Sequence, residues 1–147
     1  MQTASLAQLY RLLEREQSTL LHYLSGAWPW SSQTERTMVD QVQAIADAEQ
    51  AALQRLAPHL RRQRIVPPGA RFPMDFSHLH YIALSHLLPE LVKESSDLLA
   101  ELETATASDA DLAELTGSFL ELKRGNLAKL QALIEAHAGS KSLSTRR

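Results

Sequence analysis

The chain has 147 residues, 15 Lys and Arg against 17 Asp and Glu, and no cysteine. That length builds one domain with a real core. The small net charge of −2 gives no strong field for nucleic acid or membrane, and the lack of cysteine excludes disulfides and thiolate metal sites.

No apolar run approaches the roughly 20 residues of a membrane span. The start, Met1-Gln2-Thr3-Ala4-Ser5, lacks the regions of a signal peptide. A cytoplasmic protein without a membrane partner is expected.

The first helix is expected from about Ser5 to Ser25. Ser5 and Gln8 fit a capping box, and Gly26 fits the terminating position. Its apolar stripe runs Leu6, Leu9, Leu13, Glu16, Leu20, Leu24. Trp28 and Trp30 flank Pro29 in the next loop and read as a lid on one end of the fold. Ser32 and Glu35 fit a second capping box, opening a helix to about Arg64 that Pro67-Pro68-Gly69 stops. Its stripe runs Met38, Val42, Ile45, Glu49, Ala52, Leu56, Leu60. Both stripes carry a carboxylate where an apolar side chain belongs. A buried charge costs several kcal/mol unless it is paired or bound to metal. Arg55, Arg61, Arg62, Arg64 and Arg71 make a basic region around the end of this helix, read as a solvated face; nucleic acid binding would want aromatic stacking or a wider patch.

The stretch from Ile65 to Met74 reads as irregular. Asp75 is the expected N-cap of a third helix running to about Glu103. Leu79, Tyr81, Ile82, Leu84, Leu87, Leu88, Leu91 and Val92 make that helix apolar on more than one side. It is therefore expected to be central or covered by a second chain, giving a homodimer. Pro89 predicts a kink near His86. Ser108 and Asp111 begin a fourth helix ending near Ala138, with Gly139 terminating it and residues 139–147 a disordered polar, basic tail. Gly125 in this helix predicts close approach of a neighbouring backbone, helix 3 being the expected one. No segment alternates with period two, so no sheet is expected.

The expected fold is all-α: a four-helix bundle over residues 1–138. The second connection is the longest. About 10 extended residues reach roughly 30 Å, enough to return along the bundle and start helix 3 parallel to helix 2. The other topology is a plain up-down-up-down bundle.

Pattern, crossover and the two Glu positions resemble the ferritin-like superfamily over essentially the whole folded region. The resemblance implies a carboxylate-bridged di-metal site of Fe or Mn. Glu16 stands at the family's first Glu. Glu49 begins the first Glu-x-x-His, with Ala52 in place of His. On the fourth helix Lys123 and Asn126 replace Glu and His. At the comparable level of helix 3, only His86 and Glu90 could bind metal.

Three readings follow. In the first, Glu16, Lys123, Glu49 and Asn126 form a polar core cluster, no cofactor is held, and the protein is a structural or interaction module with an unknown protein partner. In the second, Glu16, Glu49, His86 and Glu90 hold Fe or Mn for oxidation or iron handling. In the third, His22, His78, His80 and His137 gather at one end as a His-centred site resembling the DinB-like group. The up-down topology would exchange His59 for His22. No nucleophile–His–acid set stands out, so catalytic residues are not assigned.

Overall fold

A computed structural model describes the backbone of residues 3–26 and 35–145, and the side chains of 6–25, 35–77, 79 and 82–138. Trp28, Trp30, Ser32, His78, His80 and Tyr81 lie outside the described side chains. Among the described residues the chain is all-helical, without strands: α1 (Thr3–Gln17), α2 (Leu20–Gly26), α3 (Arg36–Arg62), a 3-10 run Met74–Tyr81, α4 (Leu84–Ser108) and α5 (Ala110–Thr145). No helix is long and apolar enough to cross a membrane.

The expected first helix is broken. The Ser18 hydroxyl donates to the Glu14 carbonyl at 2.6 Å, closing α1. The Thr19 hydroxyl accepts the His22 amide at 3.3 Å, opening α2. α1 starts at Thr3, so Ser5 lies inside it rather than at its cap, and Gly26 is the last residue of α2.

α3 begins at Arg36, with Glu35 at the cap position but making no capping bond. The Glu35 carboxylate instead accepts the Ser85 hydroxyl of α4 at 2.9 Å. The end of α3 is closed by its own backbone before the prolines. Ile65 N–H donates to Leu60 O and Arg64 N–H to Arg61 O, both at 2.9 Å. This is the Schellman arrangement, with Arg64 at φ 60° in the left-handed position that glycine usually fills. Ile65 packs on the same apolar cluster as Leu60, completing the motif.

The expected start of helix 3 at Asp75 is also corrected. Residues 74–81 form a tight 3-10 run, and Ile82 (ψ 131°) and Ala83 (ψ 144°) are extended before α4 begins. Pro89 thus falls early in α4, which runs on to Ser108. Asp109 (φ −142°, ψ 108°) breaks the chain and caps α5, its carboxylate accepting the Leu112 amide at 3.1 Å. Gly139 does not end α5, and the expected tail is helical to Thr145. Nothing comes within 4 Å of a Cβ built on Gly125, so the expected backbone approach is absent there.

Two apolar clusters set the directions of the helices. The first joins Leu20, Leu21 and Leu24 of α2, Val42 and Ile45 of α3, Leu84, Leu88 and Leu91 of α4, and Leu130 of α5. The second joins Leu9 and Leu13 of α1, Leu53, Leu56 and Leu60 of α3, Leu102 and Ala105 of α4, and Leu112 and Phe119 of α5. Hence α3 and α4 both run from the first cluster to the second, and α1–α2 and α5 run the other way. The stretch 63–83 must return along the length of the fold. It is pinned on the way: the Arg71 amide donates to the Ser18 hydroxyl at 2.8 Å, and Phe72 and Phe76 pack on Tyr23 at 5.3 and 5.5 Å between ring centroids. Leu84, Leu87, Leu88 and Leu91 are all buried within the chain, so intrachain packing accounts for these apolar positions of α4.

Candidate functional site

Between the two apolar clusters lies a layer of buried charge. Glu16 of α1, Glu49 of α3, and Lys123 and Asn126 of α5 are each at most 2% exposed. Each holds a stripe position of its helix, flanked by Leu13 and Leu20, Ile45 and Leu53, or Phe119 and Leu130. Lys123 Nζ lies 2.9 Å from Glu16 Oε2 and 3.4 Å from Glu49 Oε1. The first contact is an ion pair outside hydrogen-bonding angles, since Glu16 Oε2 has no hydrogen-bond partner; the second is also a hydrogen bond. Asn126 Nδ2 donates to the other Glu49 oxygen at 3.1 Å. The Phe119 ring centroid lies 5.9 Å from the ammonium, at the outer reach of a cation–π contact.

α4 contributes Glu94, not His86 or Glu90. Its Oε1 accepts the Leu20 amide at 2.8 Å, and the neighbouring Leu21 amide also favours the charged carboxylate. It therefore satisfies the first turn of α2 from across the fold. Glu94 also feels the charges of Lys123 and Glu49. The sequence held a signal for it: Leu87, Leu91, Glu94 and Leu98 follow steps of four, three and four. The layer thus gathers three carboxylates and one ammonium.

The energetics follow from burial. Desolvation pushes Glu16 up to about 7, with Glu49 and Glu94 adding to the rise and Lys123 opposing it. Desolvation likewise raises Glu94 against the pull of the two backbone amides. Burial alone would lower Lys123, but Glu16 and Glu49 together hold it above the ordinary lysine value. His22 is lowered by its own burial, and its Nε2 is buried without a hydrogen-bond partner.

The donor set does not fit a di-metal centre. An ammonium has no lone pair to give a metal, and Lys123 places one between Glu16 and Glu49. Asn126 faces Glu49 with its amide nitrogen, a donor that engages one carboxylate oxygen. His86 and Glu90 are exposed. They line a cleft of about 770 Å³ between the α1–α2 break, the returning segment and α4. Glu94 reaches this cleft too, whereas Glu16 and Glu49 do not line it. Among the described residues no three His, Asp or Glu side chains are grouped to hold a metal ion. His22 shares the short α2 with Leu20, Leu21 and Leu24 of the first cluster, and His137 follows Ile134 of α5, which packs on that cluster; the side chains of His78 and His80 lie outside the described ones. His59 is at the other end, facing Asp111 and Glu114 across a shallow cleft.

No protein-family model, curated protein or solved structure matches this chain.

Proposed function

We propose that this is a ferritin-like four-helix bundle, with α1 and α2 together as one rod, in which a tethered ammonium has taken the place of the di-metal centre. The protein then acts as a structural or protein-interaction module rather than as an oxidoreductase. The observation that carries this reading is the position of Lys123 Nζ, buried between Glu16 and Glu49. A fixed cation there neutralises the carboxylates as a metal would, but supplies neither an open coordination position nor a redox couple. Two further features support the family part of the reading. α3 and α4 run parallel across a long return, the single-crossover connection of ferritin-like bundles. Three of the four rods each place one Glu in the same layer.

Anaerobic loading of the tag-free protein with Fe(II), Mn(II) or Zn(II), desalting and elemental analysis tests it. No retained metal is the expected result. About two Fe or Mn per chain, lost in Glu49→Ala, would replace the reading with metal-dependent oxidation or iron handling. Zn retained in Glu49→Ala but lost in His80→Ala would replace it with the His-centred alternative.

A further inference from the structure

The charge of this chain is unevenly placed. Between Glu49 and Asp75 there is no acidic residue, while Arg55, Arg61, Arg62, Arg64 and Arg71 all fall there. The other 10 of the 15 Lys and Arg share the rest of the chain with all 17 Asp and Glu. The structure makes the asymmetry a surface. Arg55 and Arg62 stand at i and i+7 of α3, on one face, and both are exposed, as are Arg61 and Arg64; His59 between them faces Asp111 and Glu114 of α5 and is not counted with them. Along the helix axis Arg55 and Arg62 are about 10 Å apart. None of Arg55, Arg61, Arg62 and Arg64 has an ion pair with a described residue, whereas Arg15 pairs with Glu101, and Arg124 with Glu103 and Glu121. The helix dipole favours cations in the last turn, which explains Arg61 and Arg62. It does not explain Arg55, two turns earlier. Two residues after Arg64 in the chain, Val66 is 81% exposed, a β-branched apolar side chain left in water.

We infer that this arginine face of α3 is a docking surface for an acidic, amphipathic segment of a partner protein. This deepens the interaction-module reading and rests on it. Charge complementarity and an apolar contact together favour such an occupant. Unpaired guanidinium forks match carboxylates in two-point geometry, and Val66 gives an apolar side chain of the partner a place to be buried. Nucleic acid fits less well. From Gln50 to Arg71 there is no Phe, Tyr or Trp on which a base could stack, Phe72 just beyond is packed edge-on against Tyr23, and the acidic excess elsewhere on the chain repels a long polyanion.

The test is fluorescence anisotropy of the full chain with a labelled helical peptide of about 20 residues, Glu on one face and Leu on the other. The expected result is salt-sensitive binding that weakens on the order of 10-fold in Arg55→Gln/Arg62→Gln. A smaller loss is expected in Val66→Ser and with a peptide whose Leu are replaced by Ser. These side chains are solvent-facing, so the variants should melt with the wild type. The inference is overturned by absent binding or by equal affinity in the double variant. It is also overturned by single-stranded RNA competing as well per charge, or by salt-sensitive self-association that the double variant abolishes, which would make a second copy the occupant. Metal retention is read in a separate assay, so failure of the peptide leaves the module reading standing and failure of the module reading shows itself first as bound metal.

Discussion

Glu94 on α4 accepts the backbone amide of Leu20 at 2.8 Å, bridging the gap between α1 and α2 from a helix 74 residues away in sequence. One carboxylate thereby does two things. It replaces the acceptor that the missing helical turn would have supplied, and it adds a third negative charge beside Lys123.

Removing that carboxylate should loosen α2. In Glu94→Ala the Leu20 amide loses its acceptor, at a cost of about 1–2 kcal/mol. Amide hydrogen exchange in residues 20–23 should accelerate relative to α5. Glu94→Gln keeps an oxygen for the amides and should protect them nearly as well as the wild type. Equal exchange in the Ala variant would show that the break is held by Thr19 alone.

Truncating the ammonium should be severe. Lys123→Met leaves Glu16 and Glu49 buried without a counter-charge and should destabilise by roughly 3–5 kcal/mol in urea unfolding. Adding Glu16→Gln and Glu49→Gln to Lys123→Met should recover much of the loss, because no unpaired charge then remains. A single variant as stable as the wild type would remove the central role given to the ion pairs.

The pH dependence has a defined sign. The folded-state value of Glu16, about 7, lies above the ordinary 4.5, so the folded protein holds a proton that the unfolded chain releases. Stability should therefore rise as pH falls from about 8 through 7 toward 5, with Glu94 acting in the same direction. His22, lowered by burial, opposes this below its ordinary 6.5. Glu16→Gln should flatten the rise between pH 8 and 6 in a series of thermal melts, about 1.4 kcal/mol over the whole interval. An unchanged profile in that variant would assign the titration elsewhere.

A fourth expectation concerns the end of α3. Arg64 sits at φ 60°, where a Cβ costs roughly 1–2 kcal/mol. Arg64→Gly should raise stability by about 1 kcal/mol after the flexibility of glycine in the unfolded chain is subtracted. A fall in melting temperature would mean that the side chain of Arg64 has a stabilising contact.

Much of the charge layer was legible in the sequence because helical periodicity is strict. Glu16, Glu49, Lys123 and Asn126 each interrupt an otherwise apolar stripe, and burial follows from that. Glu94 is harder to single out, because the surrounding helix is apolar on several sides and no one stripe marks its position. The break at Ser18–Thr19 is invisible to periodicity: Glu16, Leu20 and Leu24 keep steps of four straight through it. Only the hydroxyls of Ser18 and Thr19 and the distant Glu94 reveal it. The false start at Asp75 has a local cause as well. An Asp before an apolar run resembles a cap, but the extended backbone at Ile82 and Ala83 separates that run from α4.

The parallel course of α3 and α4 also sets an order of assembly. α4 and α5 are joined through Asp109 alone and can meet as a local hairpin, with little loop to close. Glu49 and Lys123 are 74 residues apart, and Glu49 and Asn126 are 77 apart. Their bonds form only once the chain from Gln63 to Ala83 has turned back and brought α3 alongside. The charge layer is thus a late-forming lock on a hairpin already made, and its substitutions should act on the rate of unfolding far more than on the rate of folding.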